Sequence, residues 1–259
     1  MSQVETSVHG YVLDIHIRRP EKLNALSLEM FHDLCAALAE LDDNPKLRAA
    51  VLHAEGKHFT AGIELDEWSP YFVSGEGFPL RDDGIDIFGL VGRRRRKPVV
   101  QAVQGYCFTW GVEMMLNMEI RVAAADTQFA MLEVQRGIYP CGGATIRLPQ
   151  QMGLANAQRY LLTGDRWSAD EAYRLGLVQK VVEPGQQYDA AVELAERIAT
   201  AAPMAVEGVI EAVSFAGQHS EAEAVEQIFK DLVPVMQSED AAEGIRSFVE
   251  RREAVFKGR

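Results

Sequence analysis

Residues 97 to 116 read "KPVVQAVQGYCFTWGVEMML". The first half, "KPVVQAVQG", is almost continuously apolar, the mark of a strand covered on both faces of a sheet. Gly105 punctuates it, and Val112, Met114, Met115 and Leu116, with Met118 beyond, then cover every side of a helix. With no polar stripe, that helix is predicted to be buried all round. It nevertheless carries a carboxylate, Glu113. A carboxylate in apolar surroundings is costly unless it is paired, hydrogen-bonded or protonated, so Glu113 has either a hidden partner or a use for a raised proton affinity.

The flanking segments repeat the alternation of strand and helix. Upstream, "VHGYVLDIHIRRP" alternates, is rich in β-branched residues and predicts one strand ended by Pro20. In "SLEMFHDLCAALAELDDNP", Met30, Phe31, Leu34, Leu38 and Leu41 are spaced as on a helix that starts at a serine and closes at Asn44-Pro45. "LRAAVLHAEG" predicts a second strand stopped by Gly56, and "EIRVAAAD" another after the buried helix. Alternating strands and helices with glycine turns predict an α/β core. From "GLANAQRYLLTGDRWSADEAYRLG" onward helices dominate, apart from a short strand at "LVQKVVEP", and the charged C-terminal stretch is helical except at Pro234. Residues 68 to 92 mix proline, glycine and aromatics and read equally as a mobile flap or a long surface connection.

A chain of 259 residues is long for one domain and short for two. It predicts a core over residues 1–200 with an appended helical region over 201–259. The formal net charge of -12 argues against nucleic acid or an anionic membrane as the main partner. Cys35, Cys107 and Cys141 have no metal-ligand spacing and suggest no disulfide framework, consistent with a reducing compartment. There is no basic segment followed by an apolar stretch at the N-terminus, and no apolar run of the roughly 20 residues a membrane span needs. A cytoplasmic protein is expected.

Several signals are weak. "RRRRK", residues 93 to 97, reads as a solvated helix end before a strand rather than a phosphate-binding patch or a nuclear signal. His53 and His58 lack a supporting carboxylate at ligand spacing, so no metal site is expected. GxSxG, HExxH, P-loop and post-strand GxGxxG patterns are all missing, which removes support for serine hydrolysis, zinc proteolysis and dinucleotide chemistry. What remains is a set of glycine turns near carboxylates. "KHFTAGIEL" turns at Ala61-Gly62 and presents the backbone N–H of Ile63 at the start of a short helix. "GYCFTWGVE" passes through Thr109, Trp110 and Gly111 into the helix bearing Glu113, and "QFAMLEVQRGIYPCGG" sets Glu133 among apolar residues. Unpaired N–H groups at helix starts bind oxyanions, so two readings stand: an acid/base site with an oxyanion hole, or separately buried Glu–Arg pairs.

At these residues the sequence resembles the crotonase family, the enoyl-CoA hydratase/isomerase superfamily. The likeness runs from "YVLDIHIRRPEKLNALS" through "KHFTAGIEL", "KPVVQAVQGYCFTWGVEMML" and "QFAMLEVQRGIYPCGGATIRLPQQMG" to "RYLLTGDRWSADEAYRLGLVQKVV" and "EGIRSFVERREAVFKGR". Each motif is moderately specific; their order and spacing together are highly specific. The resemblance implies a spiral of repeated ββα units, a C-terminal helical trimerisation region and a homotrimer or dimer of trimers. It implies oxyanion-hole amides at Ile63 and Trp110 and a catalytic pair at Glu113 and Glu133. The implied reaction, one of fatty acid metabolism in the wider family, is syn hydration of a trans-2-enoyl-CoA, with Glu133 as proton donor to Cα and Glu113 as water-activating base. Coenzyme A enters as the substrate's carrier, with no separate cofactor and no metal. Its binding residues by match are Lys22, Ala25, Lys57 and Ala61, with Phe248 and Arg251 reaching over from a neighbouring subunit.

The chain departs from the family pattern in places. Thr109-Trp110-Gly111 stands where the family has a run of glycines, Ile63 replaces a common alanine, Asp66 a frequent lysine, and "AMLE" a frequent Gln-Pro before the second glutamate. An amide N–H survives any side chain but proline, yet a tryptophan with positive φ at position 110 would be strained. The indole and Ile63 also narrow the acyl pocket, so small or unusually shaped acyl groups are expected. Two other outcomes belong to the same resemblance: a Δ3,Δ2-enoyl-CoA isomerase or other crotonase-type lyase or hydrolase, and a non-catalytic acyl-CoA-binding protein whose site Trp110 has closed.

Overall fold

The computed structural model describes residues 3–259. The strands form two sheets, and the chain passes back and forth between them. The larger has six strands, β1 (Val4–His9), β2 (Val12–Ile17), β3 (Ala49–Ala54), β4 (Val99–Val103), β6 (Ile120–Ala124) and β9 (Lys180–Val182), in that order. Only the β1–β2 pair is antiparallel. The smaller sheet is β5 (Tyr106–Phe108), β7 (Gln128–Ala130) and β8 (Trp167–Ser168). The expected single N-terminal strand is therefore a hairpin. Gly10, at φ +60°, supplies the left-handed turn that folds Val4–His9 back on Val12–Ile17.

The large sheet is covered on both faces, as its apolar strands require. Helix α1 (Leu28–Asp43), capped by Ser27 Oγ accepting from the Met30 N–H, buries Met30, Phe31, Leu34, Leu38 and Leu41. The opposite face is covered by α7 (Gln187–Ala199), whose Ala190, Ala191, Ala195 and Ala199 pack among Val12, Val51, Val100, Ala102 and Val122. Small residues on that helix let it approach the sheet closely.

The repeating unit is visible in the strand register. β4 leads through Gly105, at φ +54°, into β5 and then α3 (Trp110–Met115); β6 leads through Ala125–Thr127 into β7 and a 3-10 turn at Glu133–Arg136. β3 leads to an isolated parallel bridge at Thr60 and then α2 (Leu65–Ser74). Thr60 pairs with Cys107, and Cys107 with Phe129, so three passes of the chain lie in register on the small sheet. Three residues beyond each pairing come Ile63, Trp110 and Leu132, all at the same end of that sheet. Parallel strands in register thus deliver the start of each following helix to one place. α3 is buried at every position, as its sequence predicts.

The remaining helices are α4 (Ala144–Met152), α5 (Leu154–Thr163), α6 (Ala169–Arg174), α8 (Pro203–Ala216), α9 (Glu221–Met236) and α10 (Glu239–Glu250). Pro234 lies inside α9 without ending it. Among the described residues no single helix is long and apolar enough to cross a membrane; α7 and α8 reach that length together but are bent by 107°.

The basic run departs from expectation. Residues 93 to 97 form no helix end. Arg95 is buried and forked on Glu119 at 2.9 and 3.0 Å, and Lys97 Nζ donates to the carbonyls of Leu41 and Asn44. Buried Asp42 accepts from the Arg96 N–H at 2.6 Å and pairs with Arg93 and Arg96. This run fastens the C-terminal end of α1 to the edge of β4, a role that a charge count does not reveal.

Candidate active site

A cleft of about 780 Å³, counted out to solvent, opens where Ile63, Trp110 and Leu132 converge. Ala61, Gly62, Ile63, Thr109, Trp110, Glu113, Glu133 and Cys141 all line it. Its inner wall is aromatic. Trp68, anchored by its indole N–H on the Leu26 carbonyl at 2.9 Å, sits within 6 Å of Phe72 and Phe78, and Phe78 lies 4.7 Å from Phe88. The 68–92 segment is thus part of the site. Its first turns are α2, and its later part, Gly84 to Phe88, is buried and held by Asp86, which accepts from the N–H groups of Phe88, Leu90 and Val91.

Among the described residues, the backbone N–H groups of Ile63 and Trp110 at the cleft have no intramolecular acceptor. Leu26 donates to the Gly62 carbonyl and Glu64 donates to the Leu26 carbonyl; these two bonds straddle Ile63 and leave its own N–H unpaired. Trp110 is the first residue of α3, where the helix offers no acceptor for the N–H. The Ile63 turn is braced from below. Arg19 makes a bidentate 2.9 Å pair with Glu64 and donates to the Ala25 carbonyl, while Asn24 spans to the Glu55 and His58 carbonyls.

The strain anticipated at position 110 falls one residue earlier. Thr109 has φ 51° and ψ −114°, whereas Trp110 does not have positive φ. That left-handed conformation explains a glycine preference at 109, and here a β-branched residue adopts it with its hydroxyl buried and unpartnered. The indole does not fill the cleft. It is turned aside, buried, with its Nε1–H donating to the Gly62 carbonyl.

The two carboxylates differ in surroundings. Glu113 is 4% exposed, and its Oε1 accepts from the Ala144 N–H at 3.1 Å, with the Gly142 backbone also donating. Burial pushes it up to about 7 in spite of these bonds. Glu133, 9% exposed, has Oε2 buried with no partner. Burial, and next the charge of Glu113, push it up to about 8. Neither forms an ion pair among the described residues, so Glu113 and Glu133 are not the separately buried Glu–Arg pairs of the alternative reading; the buried arginine Arg95 is taken by Glu119 instead. Cys141 stands on the rim, its thiol held up to about 12 by desolvation and by both carboxylates, which leaves it a poor nucleophile near neutrality.

The cleft therefore brings together Ala61, Ile63, Trp110, Glu113 and Glu133. Lys22 and Lys57 are exposed outside its lining, and Ala25 is fixed near it through Arg19. Phe248, 85% exposed, and Arg251, at the left-handed end of α10, do not line the cleft of their own chain. Residues that the sequence reading missed are Gly142 and Ala144, whose contribution is backbone N–H, and Arg19 and Asn24. No group of His, Cys, Asp and Glu suited to a metal ion occurs among the described residues.

The family described as enoyl-CoA hydratase/isomerase matches residues 8–259. An enoyl-CoA hydratase, EchA19, of Mycobacterium tuberculosis is 34% identical over 96% of this chain and 94% of that protein. A mevalonyl-coenzyme A hydratase, sidH, of Aspergillus fumigatus is 34% identical over 95% and 92%. The crystal structure of a probable enoyl-CoA hydratase/isomerase from Mycobacterium abscessus superposes with a TM-score of 0.96 at 39% identity, covering 99% of both chains.

Proposed function

The chain belongs to the enoyl-CoA hydratase/isomerase family, and from that premise we propose that it is an enoyl-CoA hydratase adding water in syn fashion across a trans-2-enoyl-CoA. The observation that carries this reading is the contrast between its two carboxylates beside two unpaired amides. The thioester oxygen takes the Ile63 and Trp110 N–H groups. As the β-carbon is attacked, electron density moves to that oxygen, where preorganised donors are worth about 10²–10³ in rate each.

Water lies between Glu113 and Glu133. Glu113, oriented by the Gly142 and Ala144 amides, accepts a proton as the water oxygen bonds to Cβ. Glu133 has only its own backbone N–H as a donor, its Oε2 being buried without a partner, and so holds a proton to a higher pH; it delivers that proton to Cα. The product is the 3-hydroxyacyl-CoA, and proton exchange between the two carboxyls and solvent resets the pair.

The aromatic wall of Trp68, Phe72, Phe78 and Phe88 supports a compact or unusually shaped acyl group over a long straight chain. Lys22, Ala25 and Lys57 serve the coenzyme A portion, joined by Phe248 and Arg251 from a neighbouring copy. On this reading residues 201–259 assemble copies into a trimer or paired trimers, the apolar Val209, Val213, Phe229 and Phe248 that α8–α10 leave exposed being covered there. The reaction needs no separate cofactor, and the cytoplasm is the proposed compartment. The reading is tested by following loss of the conjugated thioester's absorbance across a chain-length panel of enoyl-CoAs, with product identification. A 3-hydroxyacyl-CoA product is expected; a shifted double bond indicates an isomerase, and binding without turnover a carrier.

A further inference from the structure

We infer that Trp110 serves the oxyanion site a second time through its side chain, as a clamp on the peptide unit that supplies the other donor. The inference rests on the hydratase reading above and deepens it. Its basis is one hydrogen bond: Trp110 Nε1–H donates to the Gly62 carbonyl at 2.5 Å. That carbonyl and the Ile63 N–H belong to the same peptide unit. Because a trans peptide is planar, its C=O and N–H point in opposite directions, and holding the carbonyl oxygen fixes the line along which the Ile63 N–H projects into the cleft.

Such anchoring is needed here. Gly62, at φ +136°, has no side chain to restrict it, and the peptide that follows is otherwise free to rotate between conformations open only to glycine. Three groups bear on it. The Leu26 N–H donates to the same carbonyl at 2.9 Å and the indole at 2.5 Å, while the Thr60 hydroxyl, engaged more closely by the Asn24 carbonyl, lies at 3.3 Å. The indole is itself fixed, 1% exposed, with Phe59 at 6.2 Å. Donors on a peptide carbonyl also polarise the amide and strengthen its N–H as a donor, by about 10–30% per bond. The two amides of the hole are then coupled through one residue. Trp110 gives its own N–H to the thioester oxygen and aims and polarises the N–H of Ile63.

A purely structural account would have the Gly62 carbonyl merely satisfying a buried indole N–H. The two accounts differ in what happens to a bound thioester. The test compares the wild type with Trp110→Phe and with site-specific replacement of Trp110 by 3-benzothienylalanine, which keeps the bicyclic shape and lacks the N–H. The readouts are kcat and KM for crotonyl-CoA and the infrared carbonyl band of bound, carbonyl-labelled butyryl-CoA, which is saturated and does not react. In the benzothienyl variant we expect kcat to fall about tenfold with KM within about threefold, less than the full loss of an oxyanion donor. The carbonyl band should move part of the way back to its free frequency. If Trp110→Phe fails to fold, the benzothienyl variant decides, because it leaves no cavity. Unchanged kcat and an unchanged band in that variant overturn the clamp while leaving the hydratase reading intact. A wild-type carbonyl band that does not move on binding overturns the oxyanion site itself.

Discussion

A β-carbon at Gly142 would lie 2.7 Å from Oε2 of Glu113 and 2.9 Å from its carboxyl carbon. The bare glycine is what lets the backbone close on that carboxylate and donate to it. The requirement is steric, since φ at Gly142 is not positive.

Gly142→Ala is therefore expected to push Glu113 off its amide donors without straining the backbone. A displacement of about 1 Å at a reacting group costs on the order of 10² in rate. Steady-state kinetics on crotonyl-CoA should show kcat lowered by about that factor, with a circular dichroism spectrum like the wild type's.

The pH dependence of kcat/KM follows from the two carboxyls. Glu113, raised to about 7, must be ionised to take the proton from water, so activity rises as pH passes that value. Glu133, raised to about 8, must keep its proton, so activity falls above it. A narrow bell is expected, whose limbs report the pair rather than either residue alone. A flat profile between about pH 6 and about pH 9 contradicts the assignment.

Stability should follow a different pH course from catalysis, falling across the range in which activity first rises. The Glu133 carboxyl, ordinarily at 4.5, is raised to about 8 in the fold, so between those values the folded state binds more protons than the unfolded. Wild-type stability consequently falls as pH rises through that window and levels off above it. Glu133→Gln does not titrate and should be more stable than wild type in the alkaline range, by up to about 5 kcal/mol, with the gain vanishing under acidic conditions. Urea unfolding at several pH values checks this.

Thr109 holds a φ of 51° that a β-branched side chain tolerates badly, and its buried hydroxyl has no partner. Thr109→Gly should relieve both. A net stabilisation of about 1 kcal/mol is expected after the added chain entropy of glycine, read as a higher Tm.

Much of this was legible in the sequence where one residue's chemistry sets the outcome. The all-round apolar pattern from Val112 to Met118 announced a buried helix, and Glu113 within it announced a carboxylate with either a hidden partner or a raised proton affinity; the fold gives it amide partners and a pKa still pushed up to about 7. The Ala61-Gly62 turn announced a free amide at Ile63. What escaped depends on contacts between distant segments. The hairpin at Gly10 was hidden because alternation continues on both sides of the turn. The ion-pair partners of "RRRRK" include Asp42, Asp43, Glu119 and Glu207, remote in sequence, and nothing local distinguishes an internally paired arginine from a solvated one. Glycines at 142 and 105 read as turns; Gly105 is one, at φ +54°, and also lies against the Lys57 backbone, while Gly142 is required by the close approach of Glu113. The position of the strain, Thr109 rather than Trp110, required dihedral angles.

The most direct measurement of the central claim is turnover of crotonyl-CoA to 3-hydroxybutyryl-CoA by the wild type, Glu113→Gln and Glu133→Gln, each shown to be folded. The account predicts hydration by the wild type and a fall in kcat of about 10³ or more in each variant, because general acid and general base contribute about 10²–10⁴ each. Near-normal turnover in either variant, or consumption of the enoyl thioester with no 3-hydroxyacyl product, would contradict it.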